Sequence, residues 1–321
     1  MIDKFGREIN YLRISITDRC NLRCRYCMPE AGVSNLIPHS EILSFEEIIR
    51  LTKAAAKLGI KKIRLTGGEP LVRNSVNDLI SKINEIDGIE EIVITTNGIR
   101  LAEMADDLKK AGLKRVNISL DTLDPKKFAE ITRGGDLSKV LEGIEAAKRV
   151  GLTPIKINTV ALGGFNDDEF GNFIELTRDH DISVRFIELM PIGHADVGEG
   201  YGFISNQELI DRFPELVPEP KKKFSVATEY RLPGAIGTVG FISALSNHFC
   251  AECNKIRLTS DGKIKPCLHS NEEIPMKPVL MNGTDEEVLA ALAESIGHKV
   301  EHHMLNEGAA PIDRDMNKIG G

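Results

Sequence analysis

Three thiols crowd one short stretch of this chain. Cys20, Cys24 and Cys27 sit in Cys-Asn-Leu-Arg-Cys-Arg-Tyr-Cys, a C-x3-C-x2-C spacing directly after a run that alternates apolar and polar residues. Three thiolates this close fit an iron–sulfur cluster better than a tetrahedral zinc. A four-iron cluster held by three cysteines leaves one iron without a protein ligand, able to bind a small molecule and pass it an electron. A second triad, Cys250, Cys253 and Cys267, has C-x2-C-x13-C spacing. Here the residues leave cluster and zinc open, because His248 or His269 can supply a fourth zinc ligand. All six cysteines fall into these two groups. Odd-numbered groups with short internal spacing are poor disulfide frameworks.

A set of cations carries the second chemistry. Arg13, Arg64, Lys156 and Arg185 lie on the first, second, fifth and sixth strand-like segments. Arginine's planar fork suits phosphate. A lysine on a buried strand needs an anion or carboxylate partner. Four such cations in a chain of net charge -7 form an anion-binding constellation. The plainer reading of each is a salt-bridged strand residue.

The elements that must position these groups alternate in type. Strand-like segments Leu12–Ile16, Lys62–Leu65, Ile92–Thr95, Arg115–Leu120, Ile155–Val160 and Val184–Glu188 are separated by helical stretches. Among the helical stretches, Ser44–Leu58 opens with a Ser44/Glu47 capping box, and Asp168–His180 and Ser138–Val150 are others. The face Leu101, Met104, Ala105, Leu108, Ala111 is one more. Helical crossovers imply parallel strands in an α/β layout. Chemistry-bearing residues recur just after strand ends, as in barrel enzymes. Six units fall short of eight, so the expected fold is an incomplete TIM-type barrel over residues 1–190. Beyond it, residues 191–321 form a C-terminal extension with strands at Phe224–Arg231 and Ile236–Ile242, a helix near Asp285–Ile296 and a tail that reads as flexible. The 321 residues, 41% hydrophobic, support a large core. The acidic balance argues against nucleic-acid binding. No apolar run approaches the roughly 18 residues of a membrane span and no secretory layout is present, so the expected location is cytoplasmic.

The cysteine spacing, with Tyr26 before the last cysteine, resembles the radical S-adenosylmethionine (SAM) superfamily. Gly67-Gly68-Glu69-Pro70 after the second strand resembles its SAM-binding segment; glycines there let backbone approach a ligand, and Glu69 can accept from an amino group. The resemblance implies a [4Fe-4S] cluster on Cys20, Cys24 and Cys27, with SAM chelating the open iron and cleaved to methionine and a 5′-deoxyadenosyl radical. It places Tyr26 against cluster and adenine, and Gly68, Glu69, Ser119 and Met190 at SAM. On the plainer readings Ser119 is a turn residue and Met190 a core methionine.

The segment Asn247 to Cys267, together with Tyr-Leu-Arg-Ile-Ser-Ile-Thr-Asp-Arg-Cys near the start and the final Gly-Gly, resembles the GTP cyclases of molybdenum-cofactor biosynthesis along nearly the whole chain. That implies a second [4Fe-4S] cluster on Cys250, Cys253 and Cys267, whose open iron binds the purine. It implies GTP contacts from Arg13, Arg64, Thr95, Lys156, Arg185, Lys255, Ile256 and Arg257. The family pattern has arginine at both ends of Arg-x-Arg where this chain has Lys255-Ile256-Arg257; lysine keeps the charge and loses the fork. Gly320 and Gly321 are implied to insert near the active site. The implied chemistry takes hydrogen from C3′ of the ribose and joins C3′ to C8 of guanine, with the second cluster or Arg257 helping the final reduction. An electron donor, a downstream cyclic pyranopterin monophosphate synthase and a homodimer are implied partners. The alternatives are a radical SAM peptide-modifying maturase and a non-enzymatic metal-binding regulator.

Overall fold

The computed structural model describes residues 1–30, 36–192, 201–303 and 314–320. The alternating run at the start becomes β1 (Tyr11–Ser15), followed by α1 (Phe45–Lys57), β2 (Lys62–Thr66), α2 (Val76–Asn84), β3 (Glu91–Thr96), α3 (Leu101–Lys110) and β4 (Arg115–Ser119). Then come α4 (Pro125–Ile131), α5 (Leu137–Arg149), β5 (Ile155–Gly163), α6 (Phe170–Glu175) and β6 (Ile182–Glu188). The capping box at Ser44 forms in both directions with Glu47. The short α4 was not anticipated. Asp124 starts it by accepting from the N–H groups of Lys126 and Lys127, and Pro125 fills the first turn. The helix expected over 168–180 stops at Glu175. Beyond it the carbonyls of Thr177 and Arg178 take the N–H groups of Gly237 and Ile236 instead.

The C-terminal third adds β7 (Gly202–Phe203), α7 (Asn206–Arg212), β8 (Val217–Pro218), β9 (Thr228–Arg231), β10 (Thr238–Ile242), β11 (Lys255–Leu258), β12 (Lys263–Lys265) and β13 (Ile274–Pro275). Helices α8 (Lys277–Asn282), α9 (Asp285–Gly297) and α10 (Met316–Ile319) follow among the described residues. The strand expected from Phe224 begins only at Thr228; Phe224 itself is in the left-handed region.

Strands β1 to β6 pair in sequence order, all parallel. Two further parallel strands come from the C-terminal third: β11 joins beside β1 and β10 beside β6. The sheet stays open, because antiparallel β12 and β9 occupy the outer edges of β11 and β10. The fold is the partial barrel expected, widened on both flanks by strands that sequence had placed in a separate extension. The chain from Ile242 to Lys255 must cross the open side, descending from the carboxyl end of β10 to the amino end of β11. It carries Cys250 and Cys253.

Candidate active site

Alternation along each parallel strand divides the side chains in two. Leu12, Ile14, Ile63, Leu65, Val116, Ile118, Ile155 and Ile157 face the hydrophobic core and are fully buried. The residues between them face a central cavity of about 710 Å³. Arg13, Arg64, Thr95, Ser119, Lys156, Arg185, Lys255 and Arg257 all line it. Ile256 does not: its parity puts its side chain in the core, so only its backbone is available to a ligand.

Strand register makes rows of these groups. Arg257, Arg13 and Arg64 are direct neighbours across β11, β1 and β2. One step toward the strand starts lie Lys255, Tyr11, Lys62 and Glu91. The ring of Tyr11 lies 5.1 Å from Lys62 Nζ and 5.4 Å from Lys255 Nζ. Glu91 accepts from Lys62 at 2.5 Å and Arg115 at 2.6 Å. Arg185 is ion-paired to Glu229 at 3.4 Å, the plainer reading for that residue, while still lining the cavity. Burial pushes Lys156 down to about 5, with Arg185 and Arg115 adding to it. Burial pushes Lys255 down to about 7. The buried Nε atoms of Arg13, Arg64, Arg185 and Arg257 have no hydrogen-bond partner among the described residues, nor has Nδ2 of Asn117. Donors left open in this way fit a polar, anionic guest.

The first triad stands at the carboxyl end of β1, lining the cavity with Tyr26, Gly68, Ser119 and Met190. Tyr26 donates to Asp121 at 2.6 Å, and Asp121 also accepts the Val160 N–H at 2.8 Å. This brace joins the cysteine loop to β4 and β5. Burial lifts Asp121 to about 6. The glycines have a packing role beside the expected one. A Cβ on Gly68 would meet the Arg19 carbonyl oxygen at 2.3 Å, and one on Gly67 the Thr17 oxygen at 2.4 Å. Gly68 N–H and Glu69 N–H donate to those same two residues' carbonyls. The pair therefore packs the second strand's loop against the cysteine loop. Glu69 accepts from Leu71 N–H, Thr96 hydroxyl and Asn97 N–H at 2.9, 2.8 and 2.7 Å, which spends most of its acceptor capacity inside the protein. Burial lifts it to about 7. Three thiols at a cavity rim, beside a glycine loop, suit a cluster with one open iron.

The second triad lines the same cavity from the amino end of β11. The two triads thus stand at opposite ends of the neighbouring strands β1 and β11, roughly 15 Å apart at about 3.3 Å per residue. His269 Nε2 is 3.1 Å from Met190 Sδ, so the segment after Cys267 reaches the first triad's side.

Residues 314–320 are docked on the barrel, not frayed. Arg314 pairs with Asp261 and Glu273. Asn317 donates to the Asp18 carbonyl at 2.9 Å, Ile319 is buried, and the Gly320 carbonyl accepts from Arg13 at 3.2 Å. Gly320 has φ +80, and a Cβ there would meet Thr66 Oγ1 at 2.3 Å. Gly321 lies outside the described residues. Sequence reasoning missed Lys62, Glu91 and Arg115, and it placed Asn97 and Asp121 in chemistry-bearing strand ends without giving them a role. The parity of Lys62 and Arg115 with Arg64 and Asn117 was the available signal.

Residues 14–177 match the Radical SAM superfamily and residues 182–305 match Molybdenum Cofactor Synthesis C. Over 322 residues, covering all of both chains, the protein is 55% identical to GTP 3',8-cyclase of Alkaliphilus oremlandii (strain OhILAs). It is 52% identical to the enzyme of that name in Alkaliphilus metalliredigens (strain QYMF) and 51% to that of Peptoclostridium acidaminophilum. The chain belongs to the GTP 3',8-cyclase family. Radical SAM membership brings with it a [4Fe-4S] cluster and SAM. Among solved structures, Streptococcus suis SuiB bound to S-adenosylmethionine superposes with a TM-score of 0.56 at 17% identity. The match covers 87% of this chain and 65% of that one, a likeness of fold. Among the described residues no helix is long and apolar enough to cross a membrane.

Proposed function

We propose that the chain is a radical SAM GTP 3′,8-cyclase. It converts GTP to (8S)-3′,8-cyclo-7,8-dihydroguanosine 5′-triphosphate, with SAM consumed to methionine and 5′-deoxyadenosine, in the first step of molybdenum-cofactor biosynthesis. One observation carries this reading: a single cavity is walled by both cysteine triads, with buried arginines and lysines between them. When bound at the first triad, cluster and SAM supply the radical that removes a ribose hydrogen.

The protein's own residues hold and orient. Cys20, Cys24 and Cys27 take the first cluster. Tyr26, Gly68, Glu69, Ser119 and Met190 shape the SAM end, with Asp121 fixing Tyr26. Cys250, Cys253 and Cys267 take a second four-iron cluster facing the purine. Arg13, Arg64, Lys156, Arg185, Lys255 and Arg257 neutralise the triphosphate, Thr95 adds a hydroxyl, and Ile256 contributes backbone only. Buried cations that a polyanion neutralises give strong, directional contacts because water is excluded. Gly320, whose carbonyl accepts from Arg13, and the terminal Gly321 belong to the catalytic set, and Arg257, near the second triad, assists the final reduction. Residues 1–190 and 191–321 serve as catalytic barrel and substrate-cluster region. An electron donor, a homodimeric state and hand-over of the product to a cyclic pyranopterin monophosphate synthase belong to the same proposal.

Anaerobic turnover with SAM, dithionite and GTP deuterated at C3′ tests the reading. Deuterium should appear in 5′-deoxyadenosine. Cleavage of SAM without deuterium transfer would remove GTP as the substrate and favour the peptide-modifying alternative.

A further inference from the structure

The second triad is gripped by a short strap that follows α9. Lys299 is 2% exposed. Its ammonium donates to the Lys255 carbonyl at 2.8 Å and to the Pro266 carbonyl at 3.1 Å, and lies 3.8 Å from Cys253 Sγ. Those carbonyls flank the two separate segments that bear Cys253 and Cys267. One buried cation therefore ties both segments together while facing a ligand sulfur. Arg7 reaches across from the N-terminus to the carbonyls of Cys250, Val300 and Glu301 at 3.0, 2.7 and 2.9 Å. A buried lysine with only carbonyl partners is costly unless a negative charge lies beside it. Here that charge is the thiolate of Cys253 and whatever it binds.

Among the described residues no lysine or arginine hydrogen-bonds a sulfur of the first triad, where Cys20 Sγ accepts from the Leu22 N–H and the Asn97 amide. The leading charged neighbours of Cys20, Cys24 and Cys27 outside the triad are the carboxylates Glu69, Asp121 and Asp315.

We propose that Lys299 is the positioning residue of the second triad: it clamps the Cys253 and Cys267 segments and, as a fixed positive charge at the ligand sulfur, holds the cluster there at a higher reduction potential than the first cluster. This rests on the second triad holding a cluster. A cation beside the sulfurs stabilises the added electron of the reduced cluster more than the oxidised form, and net charge and hydrogen bonds to sulfur are the protein's main levers on cluster potential. The two clusters in one cavity are then set apart. A cluster of lower potential at Cys20, Cys24 and Cys27 would supply the electron that SAM cleavage needs, and one of higher potential at Cys250, Cys253 and Cys267 would stay reduced next to the purine.

The test is an EPR-monitored redox titration of the anaerobically reconstituted full chain, with iron counted in each variant. Signals are assigned with Cys20, Cys24 and Cys27 replaced by alanine in parallel. Lys299→Gln keeps a donor and removes the charge. It should retain about eight irons, two clusters of four, and shift only the second cluster's midpoint potential downward; Lys299→Arg should restore it. Lys299→Met, lacking both donor and charge, should lose the second four irons in part. An unshifted second potential in Lys299→Gln would overturn the proposal, as would loss of the second cluster in Lys299→Arg, where the charge is kept. Wild-type protein with only about four irons, all lost on replacing the first triad, would instead remove the second cluster itself.

Discussion

The two cysteine triads share a cavity and a ligand type, and differ in how they are held and in the charges that face them. The first follows a strand end and is held by backbone packing, with Gly67 and Gly68 pressed on Thr17 and Arg19. Its thiols lie among carboxylates, and burial pushes Cys20 up to about 11 and Cys27 up to about 12. The second precedes a strand start and is held by long cationic side chains, Lys299 and Arg7. Burial would raise Cys253 too, yet Lys299 and Lys255 outweigh it and bring it below its ordinary value. Identical ligand types thus face different charged neighbours, carboxylates at the first triad and lysines at Cys253 of the second, with buried cations lining the cavity between them.

The comparison breaks most sharply at the ligands. Cys24→Ala should abolish SAM cleavage, with 5′-deoxyadenosine at background by chromatography. Cys253→Ala should leave SAM cleavage measurable and lose cyclisation. If Cys253→Ala also stops SAM cleavage, the division of labour is wrong.

Next is the wall. Lys156→Met removes a buried cation that a phosphate would engage through a charge-assisted hydrogen bond worth about 1.5–3 kcal/mol. GTP affinity by calorimetry should fall on the order of 10- to 100-fold, with SAM affinity unchanged. The same lysine sets a pH slope. In the free protein it is held near 5 and is uncharged at pH 7.5–9, whereas a bound polyanion draws the proton back. Binding therefore takes up a proton, and affinity should weaken as pH rises, by up to about tenfold per unit. Lys156→Met should flatten this slope, leaving the smaller share due to Lys255. A slope identical in the variant would assign the proton elsewhere.

Gly320→Ala places a Cβ on a left-handed residue against Thr66. The backbone cost alone is about 1–2 kcal/mol, so the tail should leave Arg13 and cyclisation should fall roughly tenfold, with SAM cleavage retained. Glu91→Gln should have the smallest effect. Freeing Lys62 and Arg115 from a partly exposed carboxylate, a contact worth about 0.2–1 kcal/mol, should tighten GTP binding a few-fold. Weaker binding would show that Glu91 aims the two cations and does not compete for them.

Much of this was legible before any coordinates. Arg13, Arg64, Lys156 and Arg185 were legible as strand cations forming an anion-binding set, and each has a buried Leu, Ile, Val or Phe on either side in its strand, so the pleat sends the cation to the opposite face. The cysteine spacings were legible because cluster ligands are local in sequence. What was hidden depends on long-range pairing. No local signal says that β10 and β11 dock on opposite flanks of the barrel, so the crossing segment between them could not be placed. Lys299 reads as an ordinary helix-end lysine until β11 and Cys267 arrive beside it. Spacing alone also cannot show that Gly67 and Gly68 pack on the Thr17–Arg19 backbone, or that Glu69 already accepts from Leu71, Thr96 and Asn97.

The most direct measurement of the central claim uses two full-length variants, one with Cys250, Cys253 and Cys267 replaced by alanine and one with Cys20, Cys24 and Cys27 replaced. Each is reduced, and its EPR spectrum recorded with SAM or GTP added. SAM should perturb only the cluster of the first triad and GTP only that of the second. A GTP-induced change at the first triad's cluster, or none at the second's, would contradict the account.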